Sequence, residues 1–171
     1  YVLVHIETDE GISGIGEAPA DIGFFGQTME AIQVAIDDYL GPQLVGREPW
    51  DIPALMNHID YRENSCAKSG IDLALHDLVG KAKGVSVAEL LGGAKRTRIP
   101  VAIEIAGGSP DDMAAECVRY MQKNVKAFKP KIGSIPAQDA DRLRAIRDAV
   151  GPDITLRADA NRASARRRGE V

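Results

Sequence analysis

The first part of the chain has the hydrophobic pattern of a β-hairpin. Val2, Val4 and Ile6 alternate with other side chains, as in a strand that buries one face. Turn-forming residues occupy positions 8–11, and a strand-like alternation resumes over 12–18. We therefore predict two antiparallel strands joined by a short turn.

Four helices are predicted after the hairpin. Thr28 would cap the first helix, which ends at about Leu40 because Gly41-Pro42 follows. An apolar stripe on this helix is predicted to contain Met29, Ile32, Ala35 and Ile36. The remaining helices are predicted at Asp51–Tyr61, Ser65–Lys83 and Val87–Leu91. Gly84 would end the longest of them.

From Arg98 onward the pattern changes to alternating strands and helices. Strands are predicted at Ile99–Ile105, Lys126–Lys131 and Ile154–Asp159, with helices at Ser109–Lys123 and Pro136–Val150. Repeated β-α units favour parallel pairing, as in a doubly wound sheet or a (β/α)-barrel, and the local pattern leaves both open. We predict an α+β domain over 1–97 and an α/β domain over 98–171.

Composition narrows the class of protein. With 44% hydrophobic and 27% charged residues the chain is typical of a soluble globular protein. Its net charge of −4 argues against nucleic-acid binding, and the Arg166-Arg167-Arg168 run is better explained as a solvated tail. The sequence has neither a signal peptide nor an apolar run long enough to span a membrane, so a cytoplasmic location is expected. Cys66 and Cys117 predict neither a disulfide nor a zinc site.

Two lysines lie at the end of the second predicted strand. Lys129 and Lys131 are two residues apart, so both side chains face the same side of the strand. Mutual repulsion would lower the pKa of at least one lysine, which could then act as a base while the other binds a substrate anion. Alternatively, the two are ordinary solvated lysines at a strand edge.

An acid and an amide occupy the corresponding place one β-α unit later. Asp159 could bind Mg²⁺, which takes oxygen ligands and often only one or two protein carboxylates, and Asn161 could orient the site. Asp-Ala-Asn is also a common turn or helix cap. Both triplets fall at carboxyl ends of strands, where barrel enzymes place catalytic residues, so together they indicate an active site.

Several motifs resemble the N-terminal part of the enolase superfamily, specifically its mandelate racemase and muconate lactonizing enzyme branch. They are Gly14-Ile-Gly-Glu-Ala18, Ala67–Leu78, Gly80-Lys-Ala82, Leu90-Leu-Gly-Gly93, Phe128-Lys-Pro-Lys131 and Arg157-Ala-Asp-Ala-Asn161. The resemblance implies an α+β capping domain followed by the start of a TIM-like (β/α)-barrel, which we expect to be truncated after the third strand.

The glycines Gly11, Gly14 and Gly16 form no dinucleotide-binding motif, which disfavours a nucleotide-binding protein.

The resemblance also implies roles for individual residues. Lys131 would be the general base, Lys129 would contact the substrate carboxylate, and Asp159 would be a Mg²⁺ ligand supported by Asn161. A loop that carries Phe24 and Phe25 is similar to the one that closes over the substrate in this family, although the two rings could equally be loop packing.

The implied reaction is Mg²⁺-dependent abstraction of the α-proton of a small carboxylate, through an enediolate, as in racemases, epimerases, cycloisomerases and dehydratases. A catalytically incomplete fragment, or a non-enzymatic remnant of such an enzyme, is the alternative. We also expect a homo-oligomer.

Overall fold

Two units make up the fold, and the computed structural model describes residues 1–133 and 135–161 of them. The first unit is Tyr1–Lys95 and the second begins at Arg96. The Arg166–Arg168 run lies outside the described residues. Within the described ranges, the helices are all too short or too polar to cross a bilayer.

The first unit consists of a hairpin and helices. Its elements are β1 (Val2–Glu7), β2 (Ser13–Ala18), α1 (Met29–Val34), α2 (Ile52–His58), α3 (Ser65–Lys83) and α4 (Val87–Leu90). β1 and β2 pair antiparallel from Val2 with Ala18 to Glu7 with Ser13. The turn between them uses Gly11 at φ +78°, a conformation that glycine adopts without strain. The predicted hairpin is confirmed.

Helix α3 is the centre of this unit and has the predicted bounds. It ends because Gly84 adopts a left-handed conformation, and the Gly84 N–H bonds to the last turn. Its buried side packs against β2 at very short range. A Cβ added to Gly16 would lie 1.9 Å from the Gly70 carbonyl oxygen, and one added to Gly14 would lie 2.1 Å from the Ala74 oxygen. The glycines therefore let strand and helix backbones touch.

The first predicted helix differs from expectation in its second half. Thr28 caps α1 by accepting a hydrogen bond from the Ala31 N–H, as predicted. The chain then continues as a π-helical segment, Ala35–Leu40, which ends at the predicted residue, and a 3₁₀ turn, Gly41–Gln43, follows. Within the predicted apolar stripe, Ile32 and Ala35 are buried, whereas Met29 at its start is 50% exposed.

The second unit has the predicted strand–helix alternation. Its elements are β3 (Ile103–Ile105), α5 (Pro110–Met121), β4 (Ala127–Pro130), α6 (Pro136–Val150) and β5 (Thr155–Leu156). β4 is the central strand and pairs parallel with β3 on one side and β5 on the other. A capping unit followed by the first parallel strands of a barrel is the fold that the sequence analysis predicted.

All three strands of the second unit are shorter than predicted, β4 by one residue at each end and the other two by more. Only Ile103–Ile105 pairs with β4, and Ile99 and Val101 are 72% and 65% exposed. Alternating apolar residues before β3 therefore do not form a strand, because in the described structure they have no neighbour in register. The third predicted strand is reduced to β5 and a single parallel bridge between Lys131 and Asp159.

Candidate active site

The sheet of the second unit has two chemically different faces. Ile105, Phe128 and Pro130 are fully buried, and Ile105 and Phe128 belong to an apolar core that includes Met113 of α5 and Ile146 of α6. Alternation along the strands turns the intervening side chains to the opposite face. The register pairs Glu104 with Lys129, so the charged residues of adjacent strands are neighbours.

Four charged side chains meet on this second face. Lys129 Nζ lies 3.1 Å from Glu104 Oε2 and 3.3 Å from Asp159 Oδ2. Lys131 Nζ lies 3.1 Å from the same Glu104 oxygen and 3.0 Å from the same Asp159 oxygen. We call these four residues the lysine–carboxylate cluster. It brings together three of the predicted site residues and adds Glu104.

The electrostatics of the cluster follow from these contacts. Hydrogen bonds from Lys131, from the Asn161 N–H and from Lys129 lower the pKa of Asp159 to about 2. Lys129 and then Lys131 lower the pKa of Glu104. Asp159, and to a smaller extent Glu104, raise the pKa of Lys131. The predicted lowering of a lysine pKa by mutual repulsion is therefore wrong for Lys131, because two carboxylate oxygens lie within 3.1 Å of its Nζ atom.

Asn161 contributes through its backbone. Its N–H donates to Asp159 Oδ1 at 3.1 Å, and its φ is +40°, a left-handed conformation that Asn tolerates better than most residues. The Asp-Ala-Asn segment thus forms the turn considered as an alternative above, and it also holds the Asp159 carboxylate in place. The second oxygen of the Asp159 carboxylate, Oδ2, faces the lysines.

The predicted loop residues belong to the first unit. Phe24 and Phe25 are 58% and 54% exposed, and their ring centroids are 6.5 Å apart. Asp21 shapes the loop, because its Oδ1 accepts hydrogen bonds from the N–H groups of Gly23 and Phe24. Two exposed rings on a fixed turn are compatible with substrate contact, which stays a prediction.

Glu104 is the site residue that sequence reasoning missed. It lies between Ile103 and Ile105, and a charged residue between two apolar strand residues faces away from the core. That signal was present in the sequence. Its proximity to the lysines was not, because it depends on the register between β3 and β4.

Comparison with protein families agrees with both units. The N-terminal domain of mandelate racemase / muconate lactonizing enzyme matches residues 1–92. The enolase C-terminal domain-like family matches residues 112–169, the part that contains both lysines and Asp159. The chain belongs to the mandelate racemase / muconate lactonizing enzyme family.

Similar proteins in this family are enzymes. N-succinyl-L-Arg/Lys racemase of Bacillus cereus is 35% identical over 94% of this chain and 44% of its own length. Chloromuconate cycloisomerase of Pseudomonas sp. strain P51 is 38% identical over 94% of this chain and 45% of its own. The crystal structure of the Bacillus cereus racemase superposes with a TM-score of 0.90. The chain therefore spans slightly less than half the length of the relatives it matches.

A divalent metal is suggested by one of these structures. A dipeptide epimerase of the family from Cytophaga hutchinsonii, 32% identical over 94% of this chain and 44% of its own with a TM-score of 0.85, was crystallised with Mg and the dipeptide D-Ala-L-Val. In the present chain the Asp159 carboxylate has the chemistry of a Mg²⁺ ligand. Among residues 1–133 and 135–161, no three acidic, His or Cys side chains are grouped to hold a metal. Asp159 thus has the chemistry of one Mg²⁺ ligand, and the described residues do not complete a group of three.

Proposed function

We propose that the full-length protein abstracts the α-proton of a small carboxylate substrate in a Mg²⁺-dependent racemase, epimerase, cycloisomerase or dehydratase reaction. The observation that carries this proposal is the meeting of Lys129, Lys131 and Asp159 at neighbouring strand ends, with Nζ–Oδ2 distances of 3.3 and 3.0 Å. Abstraction beside a carboxylate requires a base and a cationic environment for the charge that develops. This face of the sheet offers both kinds of group.

Each residue has a distinct part in the proposed reaction. Lys129 holds the substrate carboxylate by charge, and Lys131 removes the α-proton to give an enediolate. Asp159 would hold Mg²⁺, which when bound supplies further positive charge for the substrate oxygens. The Asn161 N–H keeps the Asp159 carboxylate oriented.

Proton abstraction requires a change in the contacts of Lys131. Its two carboxylate neighbours raise its pKa, so the lysine carries a proton in the arrangement described here. A protonated amine cannot accept another proton, so the neutral amine that acts as the base requires the contacts with Asp159 and Glu104 to be given up. The structure is therefore best understood as the resting form of the site.

The decisive experiment follows the substrate α-proton in deuterated water by NMR. In the full-length protein, Lys131→Ala should slow α-proton exchange by about 10²- to 10⁴-fold, the usual contribution of a general base. Lys131→Arg should lose exchange as well, because arginine keeps the charge but cannot give up its proton. Lys126→Ala removes an exposed lysine that lies just before β4 and should leave exchange unchanged. Exchange that persists in Lys131→Ala would remove Lys131 as the base.

A second candidate is that the 171-residue chain by itself is catalytically incomplete. The observation that favours it is that the described residues bring two carboxylates, Asp159 and Glu104, to this site but group no three possible metal ligands there. Calorimetric titration with Mg²⁺ should then give weak binding to this chain and measurably tighter binding to the full-length protein. Equal, tight binding to both would argue against this candidate.

Two further proposals concern the whole protein and rest on the sequence analysis. We propose a homo-oligomer, which sedimentation of the full-length protein tests. We also propose a cytoplasmic location, which fractionation of the source cells tests.

A further inference from the structure

Glu104 puts a negative charge inside a site that is proposed to bind carboxylates. One of its oxygens, Oε2, lies 3.1 Å from both lysine ammonium groups. The side chain is also the most exposed of the four in the cluster, at 48% compared with 31% for Asp159 and 25% and 22% for the lysines. Glu104 is therefore within reach of a ligand that enters from solvent.

The contacts of Glu104 favour a role in recognition over a role in folding. Within the described residues, Glu104 forms ion pairs with Lys129 and Lys131, whose Nζ atoms are proposed to act on substrate. The apolar residues beside it, Ile103 and Ile105, provide the packing of β3 on the opposite face. Removing the charge of Glu104 would therefore leave the core intact.

A substrate carboxylate bound by Lys129 would lie close to Glu104. Both would contact the same ammonium group, one at 3.1 Å and the other at a normal ion-pair distance, so their oxygens would be at most about 6 Å apart. Two anions at that distance repel each other in a partly desolvated site. A cationic group next to the substrate carboxylate would replace this repulsion by attraction.

We propose that Glu104 determines specificity by favouring carboxylates that carry an ammonium group at the α-carbon over carboxylates that carry a second anionic group. This inference rests on the proposed function, since it assumes that Lys129 binds the reacting carboxylate. The preferred substrates are then zwitterionic amino acids, and Glu104 disfavours dicarboxylates.

The test compares matched substrates in matched variants. L-Alanine, L-phenylalanine and L-arginine are each supplied free and as the N-succinyl derivative, and kcat/KM for α-proton exchange is measured by NMR with the full-length protein. The variants are wild type, Glu104→Gln, which keeps the shape and removes the charge, and Asp148→Asn. The last removes one negative charge from the exposed surface of α6 and should leave the preference unchanged.

The expected result is a change in preference in the glutamine variant. The ratio of free to succinylated kcat/KM should fall by about tenfold to a hundredfold in Glu104→Gln, as expected for one charge pair at this distance. The intrinsic acidity of each α-proton is the same with both proteins, so it cancels when the two ratios are compared. An equal loss with both substrate classes would show that Glu104 only positions the lysines and would overturn the inference.

Binding provides a second measurement that does not depend on turnover. Dissociation constants for the same pairs, measured by calorimetry with wild type and Glu104→Gln, should show the same change in ratio. If no pair exchanges its α-proton in wild type but the binding ratio changes in Glu104→Gln, the proposed reaction fails for these amino acids and the charge preference assigned to Glu104 stands. If exchange occurs and is lost in Lys131→Ala while both ratios stay constant, the proposed function stands and the inference fails.

Discussion

The charged contacts at the β2–α3 interface and those in the lysine–carboxylate cluster have opposite consequences for stability. At the β2–α3 interface of the first unit, the Ile15 N–H donates to Asp77 Oδ2 at 2.8 Å. Lys81 bonds to the same Asp77 oxygen and also donates to the Ser13 carbonyl at 3.1 Å. In the lysine–carboxylate cluster, by contrast, the lysine Nζ atoms contact the carboxylates of Glu104 and Asp159.

The difference separates structural charges from candidate functional ones. A charge that bonds to the backbone of a neighbouring element fastens that element, and its loss leaves backbone groups without partners. A charge that bonds only to other exposed charges adds little to stability, so its presence calls for another explanation. Substitutions in the two places should therefore affect different measurements.

The largest loss of stability is expected from adding a side chain where the backbones of β2 and α3 pack most closely. Gly16→Ala would place a Cβ 1.9 Å from the Gly70 carbonyl oxygen, so one backbone must move. We expect a loss of about 3 kcal/mol in the free energy of unfolding. Trp50, the single tryptophan of the sequence, lies in the first unit and reports its unfolding in urea by fluorescence. Gly23→Ala, in an exposed loop, is the control; equal stability of both variants would contradict the close packing.

A smaller loss is expected when the charged contacts of this interface are removed. Asp77→Ala takes away the acceptor of the Ile15 N–H and the partner of Lys81. The contacts are partly exposed, so about 1 kcal/mol is the expected loss by the same fluorescence measurement. Asp77→Asn keeps an acceptor oxygen and should lose less. A larger loss in the asparagine variant than in the alanine variant would refute the fastening role.

The same contact predicts a dependence on pH. Lys81 and the Ile15 N–H lower the pKa of Asp77 below the ordinary value of 3.8. A lowered folded-state pKa contributes stability that is present above 3.8 and is lost as the pH falls through the folded value. The stability advantage of wild type over Asp77→Asn should therefore shrink between about pH 6 and pH 3. An advantage that grows on acidification would give the opposite sign.

The smallest effect on stability is expected in the lysine–carboxylate cluster. Lys131→Met should leave amide hydrogen exchange of the β4 segment within about twofold of wild type, because the Lys131 side chain forms solvent-accessible ion pairs, and such pairs contribute little to stability. Mass spectrometry of the peptide that covers 127–131 measures it. Lys126→Met is the matched control. Strong deprotection of β4 in Lys131→Met alone would mean that the cluster is structural, and the comparison would lose its basis.

Much of the fold follows from local signals. The bounds Ser65–Lys83 and Pro136–Val150 were predicted correctly, because Gly84 ends the first helix and Pro136 begins the second. The strand over Ile99–Ile105 was too long, because apolar alternation shows that a segment could pair but not that a neighbour is available. Gly14 and Gly16 were noted as part of a family motif and for lacking a phosphate-binding pattern, whereas their role in packing depends on where α3 lies.

The candidate site was predictable in its members more than in its electrostatics. Lys129, Lys131 and Asp159 could be placed together because strand ends of parallel β-α units share one edge. The direction in which the pKa of Lys131 shifts could not be predicted, because it depends on Glu104 and Asp159 lying within 3.1 Å of the amine. Spacing in the sequence shows which side chains of one strand share a face. The distances between side chains of different strands depend on how β3, β4 and β5 are aligned with one another.

The two-faced sheet also bears on how such a site can diversify. Glu104, the lysine pair and Asp159 belong to three different strand ends, while the buried residues Ile105 and Phe128 hold those strands from behind. Replacing Glu104 therefore leaves the backbone hydrogen bonds of the strands and the apolar core in place. A scaffold of this kind can acquire a new substrate preference by one substitution, at little cost in stability.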